Sequence, residues 1–153
     1  MASNFSIQYS AHCTPVEEIE ATDSSNKVRL VHSSIDKSVG GSGEFSCSTT
    51  ATNVKHKEAP TTSSGVALNH ASLIGTFTGC DFLMIKIKSA ASTGTPDVDI
   101  KFSAGAGPAS ISLLSGVGDV VLLRPKGSNL SLWTVESSSA TTIANIEILA
   151  GKD

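Results

Sequence analysis

The sequence predicts an all-β fold, a jelly-roll-like antiparallel β-sandwich in a single domain, and three observations carry that expectation. Apolar and polar residues alternate with period two in about nine to eleven short runs, set about ten to fifteen residues apart by Gly, Pro, Ser and Asn clusters. No stretch shows the 3.6-residue apolar repeat of an amphipathic helix. Charged residues are only 16% of the chain while Ser and Thr supply roughly a quarter, which suits sheets whose wet faces carry hydroxyls. Strands that bury one face need a second layer; eight or more call for a jelly roll, and an immunoglobulin-like sandwich would use fewer. At 153 residues such a domain buries roughly 70% of the surface its unfolded chain exposes, so no covalent staple is required.

The first run, Asn4 to Thr14, alternates strictly. Phe5, Ile7, Tyr9, Ala11 and Cys13 take one side, Asn4, Ser6, Gln8, Ser10 and His12 the other, and Pro15 stops the strand. It either joins the main sheet or lies as an arm on a neighbouring molecule. Residues 1–14 are therefore set apart from a sandwich domain of residues 15–153, and Phe5, Ile7 and Tyr9 are the candidate partner contacts. Val16 to Thr22 reads as a short strand in preference to a helical turn, and Lys27 to Ser33 as a strand. Ser34 to Gly43 is expected to be a loop, with Gly40-Gly-Ser-Gly43 as its flexible part. Glu44 to Ser48 follows as a strand with Phe45 and Cys47 inward. Thr49 to Ser64 is expected to hold a short edge strand and a surface loop, and Gly65 to Phe77 one or two short buried strands.

Cys80 to Ser89 and Asp97 to Ser103 carry the clearest alternation. Paired as a hairpin across Ala90 to Pro96, the register that sets Lys88 against Asp97 also sets Lys86 against Asp99 on the wet face. The same register opposes Ile87 to Val98, Ile85 to Ile100 and Leu83 to Phe102 on the other. Burying those six side chains contributes roughly 9 to 18 kcal/mol gross, against about 0.2 to 1 kcal/mol for each exposed charge pair. Burial drives the pairing and the charges select its register. Beyond it, Gly105 to Pro108 is a turn, Ala109 to Leu114 a strand and Gly116 to Gly118 a turn. Asp119 to Arg124 is a strand closed by Pro125, Asn129 to Glu136 another, Ser137 to Thr142 a hydroxyl-rich turn, and Ile143 to Leu149 the last strand.

Charge and motifs exclude several function classes. Eleven Lys and Arg against fourteen Asp and Glu give −3, with the basic residues scattered, which argues against a nucleic-acid surface. The N-terminus lacks the pattern of a secretory signal, and no run approaches a membrane span. Cys13, Cys47 and Cys80 lie too far apart for metal or redox spacing and read as reduced, mostly buried thiols of a protein made in cytoplasm. His12, His32, His56 and His70 fall on four separate segments without HxH or HExxH spacing, so surface imidazoles are favoured over a metal site. Asp97-Val-Asp99 is read as the strand partner of the lysines, and Lys55-His-Lys57 as a solvated basic spot. The Gly-rich pieces belong to turns, and no nucleophile elbow is present. Trp133, the one tryptophan, alternates in phase with Val135 and is placed in the core or a subunit interface rather than on a sugar-stacking platform. Neither a cofactor nor a catalytic residue is expected.

The order of Gly116-Val-Gly-Asp-Val-Val-Leu-Leu-Arg-Pro125, Asn129-Leu-Ser-Leu-Trp-Thr134, a Ser/Thr turn and Ile143-Ala-Asn-Ile-Glu-Ile-Leu149 resembles small β-rich virion proteins of tailed bacteriophages. These are the jelly-roll-like proteins that decorate or cement heads or form knobs. The resemblance spans Phe77 to the C-terminus and brings no functional residue with it. It implies a non-enzymatic structural protein, located in the virion after synthesis in the bacterial host's cytoplasm. Its expected partners are capsid or other virion proteins and further copies of itself, with no nucleic acid and no membrane. A carbohydrate- or receptor-binding module of a phage appendage is the alternative, with an exposed Trp133 beside a polar groove as its mark. A small hydrolase is a further rival, and would need a His beside a carboxylate with a Ser or Cys in a cleft.

Overall fold

A computed structural model describes residues 5–13, 16–20, 27–31, 39–47, 53–90, 97–102, 109–114, 118–137 and 143–153. The strands are β1 (Phe5–Cys13), β2 (Val16–Glu20), β3 (Lys27–Val31), β4 (Val39–Cys47), β5 (Val54–Pro60), β6 (Val66–Ala67), β7 (Phe82–Ala90), β8 (Asp97–Phe102), β9 (Ala109–Leu114), β10 (Val120–Leu123), β11 (Trp133–Ser137) and β12 (Ala144–Gly151). All the sheet is antiparallel where register is defined, and the fold is all-β. The chain divides into two compact units: Ser6–Phe45, and Ser46–Asp153 together with Met1–Phe5.

The larger unit is a sandwich. One four-stranded sheet runs β10-β7-β12-β5 and the other β6-β11-β8-β9. The pairings are nested: β5 with β12, β6 with β11, β7 with β10 and β8 with β9, as if one long ribbon had been folded at β8–β9. Two further pairings, β12 with β7 and β11 with β8, hold the turns of that ribbon together. Leu83, Ile85 and Ile87 of β7, Ala144, Ile146, Ile148 and Ala150 of β12, Val98 and Ile100 of β8 and Val135 of β11 form one buried cluster. The in–out alternation of β12 from Ala144 to Ala150 is what a strand packed on one face requires. Leu68, Leu73, Ile74, Phe77 and Leu130, from the connecting segments, join the same cluster.

The expected hairpin between the Cys80 and Asp97 runs does not form. β7 pairs with β10 and β12, while β8 lies in the other sheet between β9 and β11. The physical reason is a competing complement far along the chain. Ile146, Glu147 and Ile148 set Ile against Ile87, Glu against Lys86 and Ile against Ile85, repeating the apolar and charge pattern that the Asp97 run offered. β12 pairs with β7 at eight positions, from Ala144 opposite Ala90 to Gly151 opposite Phe82, with one register shift at Asn145/Ile146. The predicted inner residues Leu83, Ile85, Ile87, Val98 and Ile100 are all buried, but they share a core as members of different sheets.

Other expectations are corrected locally. Gly40 to Gly43 is part of β4 and not a connection. A Cβ at Gly43 would lie 2.5 Å from the Tyr9 Oη, so glycine is there for close approach of β4 to β1. Asn129 to Leu132 is a 3-10 turn, Leu130–Leu132, because the Asn129 side chain accepts from the Ser131 amide at 3.0 Å and diverts the backbone from the ladder. Gly65 to Phe77 contributes only the two-residue β6; its apolar side chains are buried from turns. Cys47 and Cys80 are buried but Cys13 is exposed. The segment 49–64 does hold an edge strand, β5. Ser137, expected to open a turn running to Thr142, is the last residue of β11; residues 138–142, the turn expected at 105–108, and His32 lie outside the described residues.

The Ser6–Phe45 unit is built from two two-stranded ribbons. β2 pairs with β3 from Val16↔Val31 to Glu20↔Lys27, and β1 pairs with β4 outside them in sequence. Gly40 lies by Ala11 and His12 while Gly43 lies by Tyr9, so β1 and β4 run in opposite directions.

Candidate functional site

Two surfaces gather the side chains that chemistry or binding would use. The first is the β1–β4 ribbon. Of the three expected contacts, Phe5 is 44% exposed, Ile7 is buried and Tyr9 is half-buried against Gly43. Ala11 and Cys13, expected on the same inner side, are exposed. A two-stranded ribbon has only one neighbour per strand, so alternation in sequence does not ensure burial. Gln8, Tyr9, Ser10, Ser42, Gly43 and Glu44 border an open recess on this ribbon. Its walls mix polar and apolar surface in nearly equal parts.

The second surface is the outer face of β5, β12 and β7. Glu147 lies directly opposite Glu58, an arrangement that costs free energy unless polar partners intervene. They do: His56 Nε2 meets Glu147 Oε1 at 3.0 Å, and Lys88 Nζ donates to Glu58 Oε1 at 2.7 Å. The His56 hydrogen bond, aided by Lys88 and Lys86, holds the Glu147 carboxyl below the usual range against a smaller effect of burial. The hydrogen bond and charge of Glu58 push the Lys88 ammonium up. Lys88 is the residue passed over where the β7–β12 register shifts at Asn145/Ile146. One ligand atom each from His56, Glu58 and Glu147 fits within 4.8 Å, a spacing a divalent cation could span after closure. Two of those groups already hold each other and the third holds Lys88, so the arrangement as it stands is a solvated ion-pair network.

The remaining candidates separate in space. Among the described residues, His56 lies beside a carboxylate and His70 beside a hydroxyl, its Nδ1 2.8 Å from Ser72 Oγ within one turn. The carboxylate contact and the hydroxyl contact thus belong to two different imidazoles, His56 and His70. Cys80 donates Sγ–H to the Phe82 carbonyl, and burial pushes its thiol up to about 11, away from the reactive thiolate. Trp133 is partly buried and packs on the core cluster, in line with its alternation with Val135. The lysines of the supposed Lys–Asp pairs have other neighbours: Lys88 binds Glu58, and Lys86 stands between Val120 and Glu147.

The His56–Glu58–Glu147–Lys88 network had no signal in the sequence. Its members lie up to 91 residues apart, and the sequence places Lys88 on a wet face and His56 in a solvated spot without any sign that they are neighbours. Among the described residues no helix is long and apolar enough to cross a membrane. No protein-family model, curated protein or solved structure matches the chain.

Proposed function

We propose that this chain is a non-enzymatic structural protein of a bacteriophage particle that decorates or cements the capsid surface through protein–protein contacts. The eight strands of the Ser46–Asp153 unit, numbered in order, run 6-3-8-1 in one sheet and 2-7-4-5 in the other, and we read this winding as a jelly roll. The observation that carries the functional reading is the Ser6–Phe45 unit, whose strands form two-stranded ribbons only. Among its described side chains only Ile7 and Phe45 are buried, and a ribbon of two strands is marginal in water on its own. Such an element gains order when a partner covers it or adds a strand to it. A protein that binds the assembled shell and not its free subunits stabilises the shell by mass action, and repeated copies multiply weak contacts.

The carbohydrate-binding alternative finds its expected tryptophan packed on the core, which leaves it the half-buried Tyr9 ring. Co-sedimentation of the full chain with empty and DNA-filled heads tests the proposal. Saturable binding at a fixed ratio to capsid subunits is expected, lost on deletion of residues 1–14 while the sandwich keeps its circular dichroism. Absence of binding to either kind of head would refute the decoration role, and binding that survives the deletion would refute the part given to the ribbon.

A further inference from the structure

The two edges of the β10-β7-β12-β5 sheet are built with opposite chemistry. β5 reads Val54-Lys-His-Lys-Glu-Ala-Pro60, and its lysines and terminal proline are the devices that discourage strand addition. β10 reads Val120-Val-Leu-Leu123 without any of them, and Val120 is 53% exposed. The Ile87 amide donates to the Asp119 carbonyl at 2.9 Å. Antiparallel alternation then turns the N–H and C=O of Val121 and Leu123 toward β7, and those of Val120 and Leu122 away from it. Among the described residues no strand lies on that side of β10. The strand's end is already anchored: Arg124 Nε donates to the Asp81 carbonyl at 3.1 Å, and the Gly127 amide to Asp81 Oδ1 at 2.8 Å.

We propose that β10 is a self-association edge, where a second copy of the chain adds its own β10 antiparallel about a two-fold axis through Val121. The two four-stranded sheets become one sheet of eight. Outward-facing backbone groups must meet outward-facing ones, so Val120 of each copy stands opposite Leu122 of the other. Both pairs fall on the outer face, where Leu122 shares a row with Met84 and Leu149. The antiparallel sense also brings the exposed Asp119 end of each strand to the Arg124 end of its mate, opposite charges at both ends; parallel pairing would bring like charges together. This edge chemistry stands apart from the reading of the chain as a particle protein.

Strands this short bury less than the roughly 1,200 Å² of a standard interface, so the dissociation constant is expected to be on the order of micromolar or weaker. Sedimentation equilibrium of the full chain from about 1 to 500 µM should show a monomer–dimer equilibrium. Val120→Lys, at an exposed site, should raise the dissociation constant roughly a hundredfold by removing two apolar pairs. In a Cys13→Ser background, Val121→Cys should give a disulfide-linked dimer on mild oxidation, since the partners on the axis form a non-hydrogen-bonded pair with Cα atoms about 4.5 Å apart. Val120→Cys, two residues out of register with itself, should not link. A chain that stays monomeric over the whole range would overturn the proposal. So would a dimer that tolerates Val120→Lys and fails to link through Val121→Cys, because it must use another surface.

Discussion

Replacing Gly40 by alanine asks whether β1 and β4 are held in contact or merely lie near each other. A Cβ at Gly40 would sit 2.6 Å from His12 Nδ1 and 2.7 Å from His12 Cα, and also against the Ala11 carbonyl oxygen. Two of those three atoms are backbone, so they cannot rotate away; β4 must separate from β1. Overpacking of this kind costs about 1 to 3 kcal/mol, comparable with everything a two-stranded ribbon gains from its own pairing. Gly41 supplies the control, since a Cβ there meets nothing within 4 Å. Hydrogen exchange read by mass spectrometry separates the units. Gly40→Ala should speed exchange roughly 5- to 150-fold over residues 6–13 and 39–45, the kinetic equivalent of that cost. Amides of β7 and β12 should not change. Gly41→Ala should leave all regions within about a factor of two, as an unstrained surface change does. Wild-type protection of the ribbon in Gly40→Ala, or equal loss in Gly41→Ala, would show that close approach at Gly40 does not hold it.

Two other expectations follow from the sandwich. Ile148 is fully buried on the central strand β12, and Ile148→Ala should cost about 2 to 5 kcal/mol, seen as a lower urea midpoint with an unchanged slope. A cost below that range would mean the β12 face is not packed as described. Glu147 titrates below its ordinary value in the folded state, so its contribution to stability is present above the unfolded value and is lost as pH falls through the folded one. Urea midpoints in low salt should fall more steeply for the wild type than for Glu147→Gln as pH drops below about 4.5, by a small margin because water screens the pair. Parallel profiles for the two proteins would remove the pairing with His56 from the acid response.

Strand existence was legible almost throughout, because a half-buried strand writes its pattern in adjacent residues. The expected strand Ile143 to Leu149 and the inward Ile85 and Ile87 follow from period two, and Asp119 to Arg124 from an apolar run closed by Pro125. The misread segments were those where a side chain or a glycine acts on the backbone. Asn129 looks like a strand residue until its carboxamide captures the Ser131 amide. Gly40 and Gly43 look like a loose linker until another strand lies where their side chains would be. The ion network was hidden for a different reason: His56, Glu58, Lys88 and Glu147 become neighbours only through the order of β7, β12 and β5.

By itself, then, the sequence determined that this is an all-β chain with one apolar face per strand, and named most of the side chains on that face. Tertiary structure alone decided which strand lies beside which. The code for pairing is degenerate: Asp97-Val-Asp-Ile100 and Asn145-Ile-Glu-Ile148 both complement Ile85-Lys-Ile87, and hydrophobic burial is non-directional. What separates the two is length of match and the need to close a second sheet over the first, which no window of neighbouring residues contains.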